Sequence, residues 1–209
     1  MLENVEPLRV FHYFENICAI PHGSGNTDGI SEFCVNFARE HGLEYKKDAL
    51  NNVIIKKAAT AGYENHPTVI LQGHLDMVCE KTADCDIDFK KDGLRLVLTG
   101  DMLSADGTTL GADDGIAVAM ILAVLEDETA APPPLEALFT TDEETGMYGA
   151  EGVDVSALSG STLINLDSGE EGVLTVGCAG GAKADFKMPI ELCENTEPCV
   201  KITVSGLLG

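Results

Sequence analysis

The segment "LEALFTTDEE", Leu135–Glu144, decides the fold prediction, because an apolar run ends in it with three consecutive acids. Apolar side chains at nearly every position are typical of a strand that is buried on both faces, as in a parallel sheet covered by helices. Two like unit charges about 4 Å apart repel by roughly 4 kcal/mol at a protein surface. We therefore expect a cationic group to offset the repulsion among Asp142, Glu143 and Glu144.

On both sides of this strand the chain alternates between helix and strand patterns. Helices are predicted over residues 6–20, 26–42 and 114–128. Strands are predicted over 51–58 and 67–74, flanking a turn, over 94–100 and 101–106 as a second hairpin, and over 161–167. The helix over 114–128 is apolar nearly all round, which predicts that it is well buried. This order predicts an α/β fold with a mixed, largely parallel sheet covered on both faces.

The pattern changes after the glycine-rich residues 177–181. Two strands with alternating apolar and polar residues follow, which predicts a second, separate sheet. We therefore divide the chain into a first domain over 1–181 and the beginning of a second domain over 182–209. The sequence ends without a polar tail, which we interpret as a truncation of the second domain.

The charge balance excludes several classes of partner. Thirteen Lys and Arg against 35 Asp and Glu give the 209-residue chain a formal net charge of -22. Such a chain is not expected to bind nucleic acid or anionic membranes. The N-terminus lacks a signal peptide and no apolar run reaches membrane-spanning length, so we expect a cytoplasmic protein. Seven cysteines, an odd number without a C-x-x-C pair, predict reduced thiols without a metal role.

Potential metal ligands stand where three predicted strands end and where the buried helix begins. They are His74 and Asp76, Glu143 and Glu144, Asp167, and the pair Asp113 and Asp114. Alone, each has a plain explanation, such as a structural histidine, a turn residue or a helix N-cap. In open α/β sheets, however, ligands bind beyond the carboxyl ends of the strands. The coincidence predicts that these side chains converge on a metal site.

The residue types suit zinc, which takes imidazole nitrogen and carboxylate oxygen and leaves one position for water in catalytic sites. Residues two apart in a strand lie on one face, so Asp76 can orient the ring of His74. Glu143 and Glu144 point in different directions in extended chain. One can therefore bind metal while the other acts as general base, and an aspartate can bridge two cations.

The motifs also resemble a known family, the co-catalytic dizinc exopeptidases related to aminoacylase and carboxypeptidase G. The resemblance covers essentially the whole chain, from "ICAIPHGSGN" (17–26) to "GCAGG" (177–181), and four segments carry it in particular. They are "VILQGHLDMV" (69–78), "GTTLGADDGIAVAMILAVLED" (107–127), "PLEALFTTDEETGMYGA" (134–150) and "LINLDSGEEG" (163–172). A set of this kind in this order is highly specific.

The resemblance implies two divalent metal ions, zinc first and manganese or cobalt as alternatives. It implies that His74 and Asp167 hold one ion, that Glu144 holds the other and that Asp113 bridges them. It also implies a cis peptide bond after Asp113. The implied fold is a three-layer zinc-exopeptidase domain interrupted by a smaller lid or dimerisation domain, of which 182–209 supplies the first strands.

For the reaction, the resemblance implies hydrolysis of short peptides, most closely of dipeptides that end in histidine. Glu143 is then the general base and Asp76 supports His74. Family members take a second histidine ligand and a lid histidine from later in the chain, and no residue of this sequence matches them, so we expect an incomplete enzyme. The resemblance further implies a homodimer through the lid.

Alternative functions stay open. A tripeptide aminopeptidase or an N-acyl amino acid deacylase carries similar motifs near the metals. From another class, the chain could be a non-catalytic cation-binding fragment. The four other histidines match none of the motifs and are predicted to be non-catalytic; they are His12, His22, His41 and His66.

Overall fold

A computed structural model of the chain describes residues 1–167, 169, 172–177, 180, 184–191, 194, 198 and 200–204. The chain divides into two compact units, Met1–Gly172 and Val173–Gly209. The helices of the first unit are α1 (Leu8–Cys18), α2 (Asp28–Glu40), α3 (Ala112–Glu126) and α4 (Tyr148–Gly152). Its strands are β1 (Glu44–Lys47), β2 (Val53–Lys57), β3 (Val69–His74), β4 (Leu96–Thr99), β5 (Met102–Ala105), β6 (Leu135–Thr140) and β7 (Thr162–Asn165).

Five strands form one mixed sheet in the order β1-β2-β6-β3-β7. Strand β6, which contains most of the apolar run before the three acids, lies at the centre and is buried at all six positions. It pairs in parallel with β3, which in turn pairs in parallel with β7. The pairs β1 with β2 and β2 with β6 are antiparallel. The α/β class and the mixed sheet are therefore confirmed. The prediction of a largely parallel sheet holds for β6, β3 and β7 only, because two of the four strand pairs are antiparallel.

The prediction that β2 and β3 form a hairpin is wrong, because β6 lies between them. Both strands carry apolar residues on two faces. Pairing with the fully buried strand β6 places each of them inside the sheet, where both faces are covered. The edge strand β1, Glu44–Lys47, was missed by the sequence argument. Its sequence "EYKK" carries no apolar alternation, and edge strands commonly carry such charged side chains.

Alternate residues of the central strands face two different clusters. Leu135, Ala137 and Phe139 of β6 pack with the helices α1, α2 and α3 in the main core. On the other face, Leu138 packs with Ile54 and Ile70 against the segment that contains α4 and the short 3₁₀ turn Val155–Ala157. Burial of each large aliphatic or aromatic side chain stabilises the fold by about 1.5–3 kcal/mol. Within the described residues the sheet is thus covered on both faces, as predicted.

The helix α3 packs against α1 and β3 and is well buried, as predicted. Ala119, Ile121 and Leu122 are fully buried, whereas Met120 and Val124 are about 40% exposed. The apolar residues that run round this helix therefore leave a narrow exposed stripe. Lys57 of β2 donates from its ammonium to three carbonyl groups at the C-terminal end of α3, which satisfies acceptors that the helix leaves open.

The predicted second hairpin is confirmed: β4 and β5 pair antiparallel in a small separate sheet. In the second unit, the described residues 184–191 and 200–204 form neither of the two predicted strands. Their large apolar side chains are exposed, for example Phe186 at 93% and Ile202 at 85%. A strand is stabilised by cross-strand pairs and by burial of one face, and these residues obtain neither. The division at 181 and 182 stays a prediction.

Candidate metal centre

The three carboxyl ends of β6, β3 and β7 lie side by side because β3 pairs in parallel with both neighbours. His74 is the last residue of β3, and its Nε2 atom faces the acids that follow the other two strands. Nε2 lies 4.0 Å from Glu143 Oε2, 3.9 Å from Asp167 Oδ2 and 3.1 Å from Asp113 Oδ1. The predicted convergence at this edge of the sheet is thus present in the structure.

Two sets of three ligand atoms have the spacing of a metal site, with all atoms of a set within 4.8 Å of one another, and both sets include His74. One set joins His74 with Glu143 and Glu144, and the other joins His74 with Asp113 and Asp167. Every metal ligand that the sequence predicts therefore lies in one of the sets. The geometry does not separate the predicted ligand Glu144 from the predicted base Glu143, so this division of roles stays a prediction.

The carboxylates of this centre lack basic partners: among the described residues, no Lys or Arg forms an ion pair with them. Burial and the neighbouring acids raise the pKa of Glu143 and of Glu144 above the ordinary value. Burial acts to lower the pKa of His74, but the surrounding carboxylates outweigh it and raise this pKa to about 9. The local field therefore favours a cation, as the sequence argument expects.

Asp76 contacts both the ring of His74 and the backbone of the acidic turn, whereas the sequence predicts only the first of these contacts. The Nδ1 atom of His74 lies 2.9 Å from the Asp76 carbonyl oxygen and 3.5 Å from its carboxylate, so Nδ1 carries the proton and donates it. This bond leaves Nε2 of a neutral ring free to bind a cation. The fully buried carboxylate of Asp76 also accepts the backbone N–H groups of Glu143, at 3.0 Å, and Glu144, at 3.4 Å. Asp76 therefore links the His74 end of β3 to the acidic turn.

Asp113 and Asp114 point in different directions at the start of α3, and the peptide bond between them is cis, as the resemblance implies. The Asp113 side chain is 72% exposed and faces His74. Asp114 is buried, and its Oδ2 atom accepts the backbone N–H of His74 at 3.1 Å. Burial raises the pKa of Asp114 to about 7, although the His74 ring and its N–H act to lower it.

The acidic turn itself is held from two further directions that the sequence argument did not identify. The buried amide of Asn52 accepts the N–H of Thr141 and donates to the carbonyl of Gly149, at the two ends of the turn. The carboxylate of Asp142 accepts the N–H of Gly25 at 2.6 Å. The sequence hint was weak: an asparagine pair stands directly before the apolar residues of β2, where a buried polar side chain needs partners.

A cavity of about 220 Å³ opens beside the centre, lined mostly by apolar side chains of β6, β7 and the α4 segment. Glu143 and Asp167 form part of its wall, and Glu144 does not. Of the two neighbouring glutamates, Glu143 is thus the one that lines this cavity.

The residues set aside by the sequence argument lie elsewhere. No histidine other than His74 belongs to either ligand set among the described residues. His22 is buried, and its Nδ1 donates to the Ile20 carbonyl. The described cysteines are free thiols, as predicted: Cys18, Cys34, Cys79 and Cys85. The other three lie outside the described residues.

The chain is similar to known peptidases. Over its whole length, in 212 aligned residues, it is 43% identical to the cytosol non-specific dipeptidase of Escherichia coli strain K12 and covers 43% of that protein. The crystal structure of aminoacylhistidine dipeptidase from Vibrio alginolyticus matches 82% of this chain with 42% identity and a TM-score of 0.80, over 35% of its own length. The predicted resemblance is confirmed.

A more distant structure shows the fold alone. A tripeptidase from Staphylococcus aureus matches 78% of the chain with a TM-score of 0.64 at 20% identity, over 43% of its own length. No protein-family model matches the chain. The chain spans less than half of the length of each of these relatives.

Proposed function

We propose that this chain, which resembles aminoacylhistidine dipeptidase and cytosol non-specific dipeptidase, carries the metal centre of a metal-dependent peptidase. The observation that supports this proposal is the convergence of His74 with four carboxylates at the carboxyl ends of three neighbouring strands. A structural histidine or a solvated acidic loop does not explain why four carboxylates meet around one histidine without a Lys or Arg partner among the described residues.

The donor types fit divalent cations of the zinc, manganese or cobalt type, and a second ion would need the later histidine that the resemblance implies. His74 offers one nitrogen, and its other ring nitrogen is already committed to Asp76. Asp113 and Asp167 form one ligand set with His74, and Glu144 lies in the other. We assign Asp113 as the bridge, His74 and Asp167 to one ion and Glu144 to the second. A bound cation of this kind polarises a carbonyl group and lowers the pKa of a water molecule to about 7.

Glu143 is the proposed general base. Its side chain is 29% exposed and forms part of the cavity wall, so a water molecule and a peptide can reach it. Its raised pKa moves it towards the range in which a carboxylate both accepts a proton from water and returns it to a leaving amine. Asp76 fixes the ring of His74 and the backbone of Glu143 together, so that ligand and base keep their relative positions.

The proposed substrates of the whole protein are small peptides. Dipeptides come first, because both relatives above 40% identity are named as dipeptidases. A histidine at the second position is the narrower proposal. Tripeptide cleavage from the N-terminus and N-acyl amino acid hydrolysis are the alternatives within this chemistry. A dipeptide panel with beta-alanyl-histidine, a tripeptide and an N-acetyl amino acid distinguishes them when the whole gene product is assayed.

Metal binding is tested with the chain itself. We expect tight binding of Zn²⁺ in calorimetry and a loss of more than about 100-fold in affinity for His74→Ala, since even partners outside the ligand set typically contribute 10- to 100-fold. His66→Ala is the matched control, because this exposed histidine contacts only Tyr63 in the described aromatic pairs. Equal affinity and stoichiometry in parent and His74→Ala would contradict the proposal and favour a non-catalytic module.

The role of Glu143 is tested in the whole gene product. We expect Glu143→Gln to bind the metal within a few-fold of the parent and to lose activity by about 10²- to 10⁴-fold. Glu151→Gln, on the exposed side of α4, is the control. If Glu143→Gln loses metal while Glu144→Gln keeps it, the two roles are exchanged.

The remaining predictions concern the protein beyond the described centre. Within the described residues, none of the helices combines the length and the apolar character that a membrane crossing requires. We propose a cytoplasmic enzyme, in line with the relative named for the cytosol. The lid, the homodimer through it and the later histidine ligand are proposed from the resemblance alone.

A further inference from the structure

The loop between α1 and α2 is fastened to the chain that follows β3. The N–H of Met77 donates to the carbonyl of His22 at 3.2 Å, and the N–H of Ser24 donates to the carbonyl of Met77 at 3.4 Å. Gly23 forms a parallel bridge with Met77, where a Cβ atom would clash with the thiol of Cys79. The loop is therefore fixed directly beside Asp76.

From this position Ser24 reaches the buried carboxylate of Asp76. Its hydroxyl donates to Asp76 Oδ2 at 2.7 Å, a distance typical of a strong bond to a charged acceptor. The other donors on this carboxylate are the N–H groups of Glu143 and Glu144 and, at 3.5 Å, the ring of His74. Ser24 is thus the one partner in this group that belongs neither to the β3 end nor to the acidic turn.

The neighbouring residue adds a second contact of the same kind. The N–H of Gly25 donates to Asp142 Oδ1 at 2.6 Å, one residue before the acids of the centre. Ser24 and Gly25 therefore hold the acidic turn at two points, through Asp76 and through Asp142. Neither residue lies in a ligand set, so any effect on cation binding must pass through these bonds.

We propose that Ser24 is a positioning residue of the metal centre. Its hydroxyl holds the Asp76 carboxylate in the one orientation that accepts both backbone N–H groups of the acidic turn while facing the ring of His74. Without it, the carboxylate can rotate or recruit water, and the ligand atoms on both sides of Asp76 lose their fixed separation. This inference rests on the proposed metal binding, and its experiment separates the two.

The experiment measures Co²⁺ affinity and the visible absorption bands of the bound ion in the full chain. Partners outside a ligand set typically contribute 10- to 100-fold in affinity, and Ser24 acts one bond further away, so we expect Ser24→Ala to weaken binding by about three- to tenfold. We also expect a change in band intensity, which reports the geometry at the ion. Ser24→Thr retains the hydroxyl and should restore both within about twofold.

Ser156→Ala is the matched control, because the exposed Ser156 hydroxyl also donates to a carboxylate, that of Asp154, and neither residue belongs to a ligand set. It should leave affinity and spectrum unchanged. If His74→Ala abolishes Co²⁺ binding while Ser24→Ala matches the parent in both readouts, the positioning role is refuted and metal binding stands. If His74→Ala binds like the parent, the proposed function itself fails.

If Ser24→Ala does not fold, a further variant, Ser24→Cys, tests the same hydrogen bond. Ser24→Cys keeps the volume and replaces the hydroxyl by a weaker donor. We expect an affinity between those of parent and Ser24→Ala, together with faster amide exchange at Glu143 and Glu144. Parent-like affinity and exchange in Ser24→Cys would overturn the inference.

Discussion

Gly73→Ala tests how closely the centre depends on the packing beneath it. Gly73 lies in β3 directly before His74, on the face that packs against α3. A Cβ atom there would lie 2.7 Å from Asp114 Oδ2 and 3.3 Å from the Cβ atom of Ala117. The first distance is not tolerated, so the Asp114 carboxylate has to move. That carboxylate is the acceptor for the backbone N–H of His74.

Two costs add in this variant. Overpacking of a filled interior typically costs about 1–3 kcal/mol. A buried N–H that loses its acceptor costs about 1–3 kcal/mol more. We therefore expect the free energy of unfolding to fall by about 2–6 kcal/mol, measured by urea unfolding. Because Asp114 is joined directly to Asp113, its displacement should also weaken Co²⁺ binding.

The control is Gly180→Ala, where an added Cβ atom meets none of the described residues within 4 Å. It should leave both the midpoint of urea unfolding and the Co²⁺ affinity unchanged. The reasoning is refuted if Gly73→Ala unfolds at the same urea concentration as the parent and binds Co²⁺ equally well. In that case Asp114 would have room to move without consequence for His74.

Two further predictions concern buried polar groups near the sheet. Asn52→Ala removes the acceptor of the Thr141 N–H and should lower stability by about 1–3 kcal/mol in thermal unfolding, whereas Asn16→Ala, whose amide contacts His12 at the surface, should not. Burial acts to raise the pKa of Glu136, but N–H groups at its carboxylate and the ion pair with Lys56 outweigh it, so the folded pKa lies below the ordinary value. Its stabilisation is therefore present above the unfolded pKa and is lost as the pH falls through the folded value. Glu136→Gln should reduce the loss of stability between about pH 5 and pH 3; an unchanged acid profile would contradict this.

The sequence predicted most elements because their signals are local. The strand β6 and the helix α3, for example, are recognised from the apolar residues of their own segments. Strand order is different: β2 and β3 follow each other along the chain, yet β6 separates them. The residues of a strand indicate that it is buried, but they do not indicate which other strand it pairs with. The edge strand β1 carries three charged residues and could not be detected by an apolar pattern.

The sequence predicts which strand ends and which side chains form the site, but it does not predict the contacts between them. His74 stands at the end of a strand, and the rule for open sheets suffices to place it beside the acids of neighbouring strands. The contact between Asp76 and the turn depends on register. His74 pairs with Thr140, and the N–H of Leu75 donates to the Thr140 carbonyl, which brings Asp76 level with the acids that follow. Register is set by the packed sheet, so neither this contact nor that of Ser24 could be derived from spacing.

The register also explains how three consecutive acids can stand together. The carboxylate of Asp142 is taken up by the N–H of Gly25. For the next two residues it is the backbone that is held, because the N–H groups of Glu143 and Glu144 both donate to Asp76. Among the described residues their carboxylates form no ion pair with Lys or Arg, and both lie in one ligand set with His74. If these acids had only a structural role, we would expect their side chains to form hydrogen bonds or ion pairs. Here the backbone is fixed instead, and the two carboxylates lie close together beside His74. A bound cation would lower the repulsion between them.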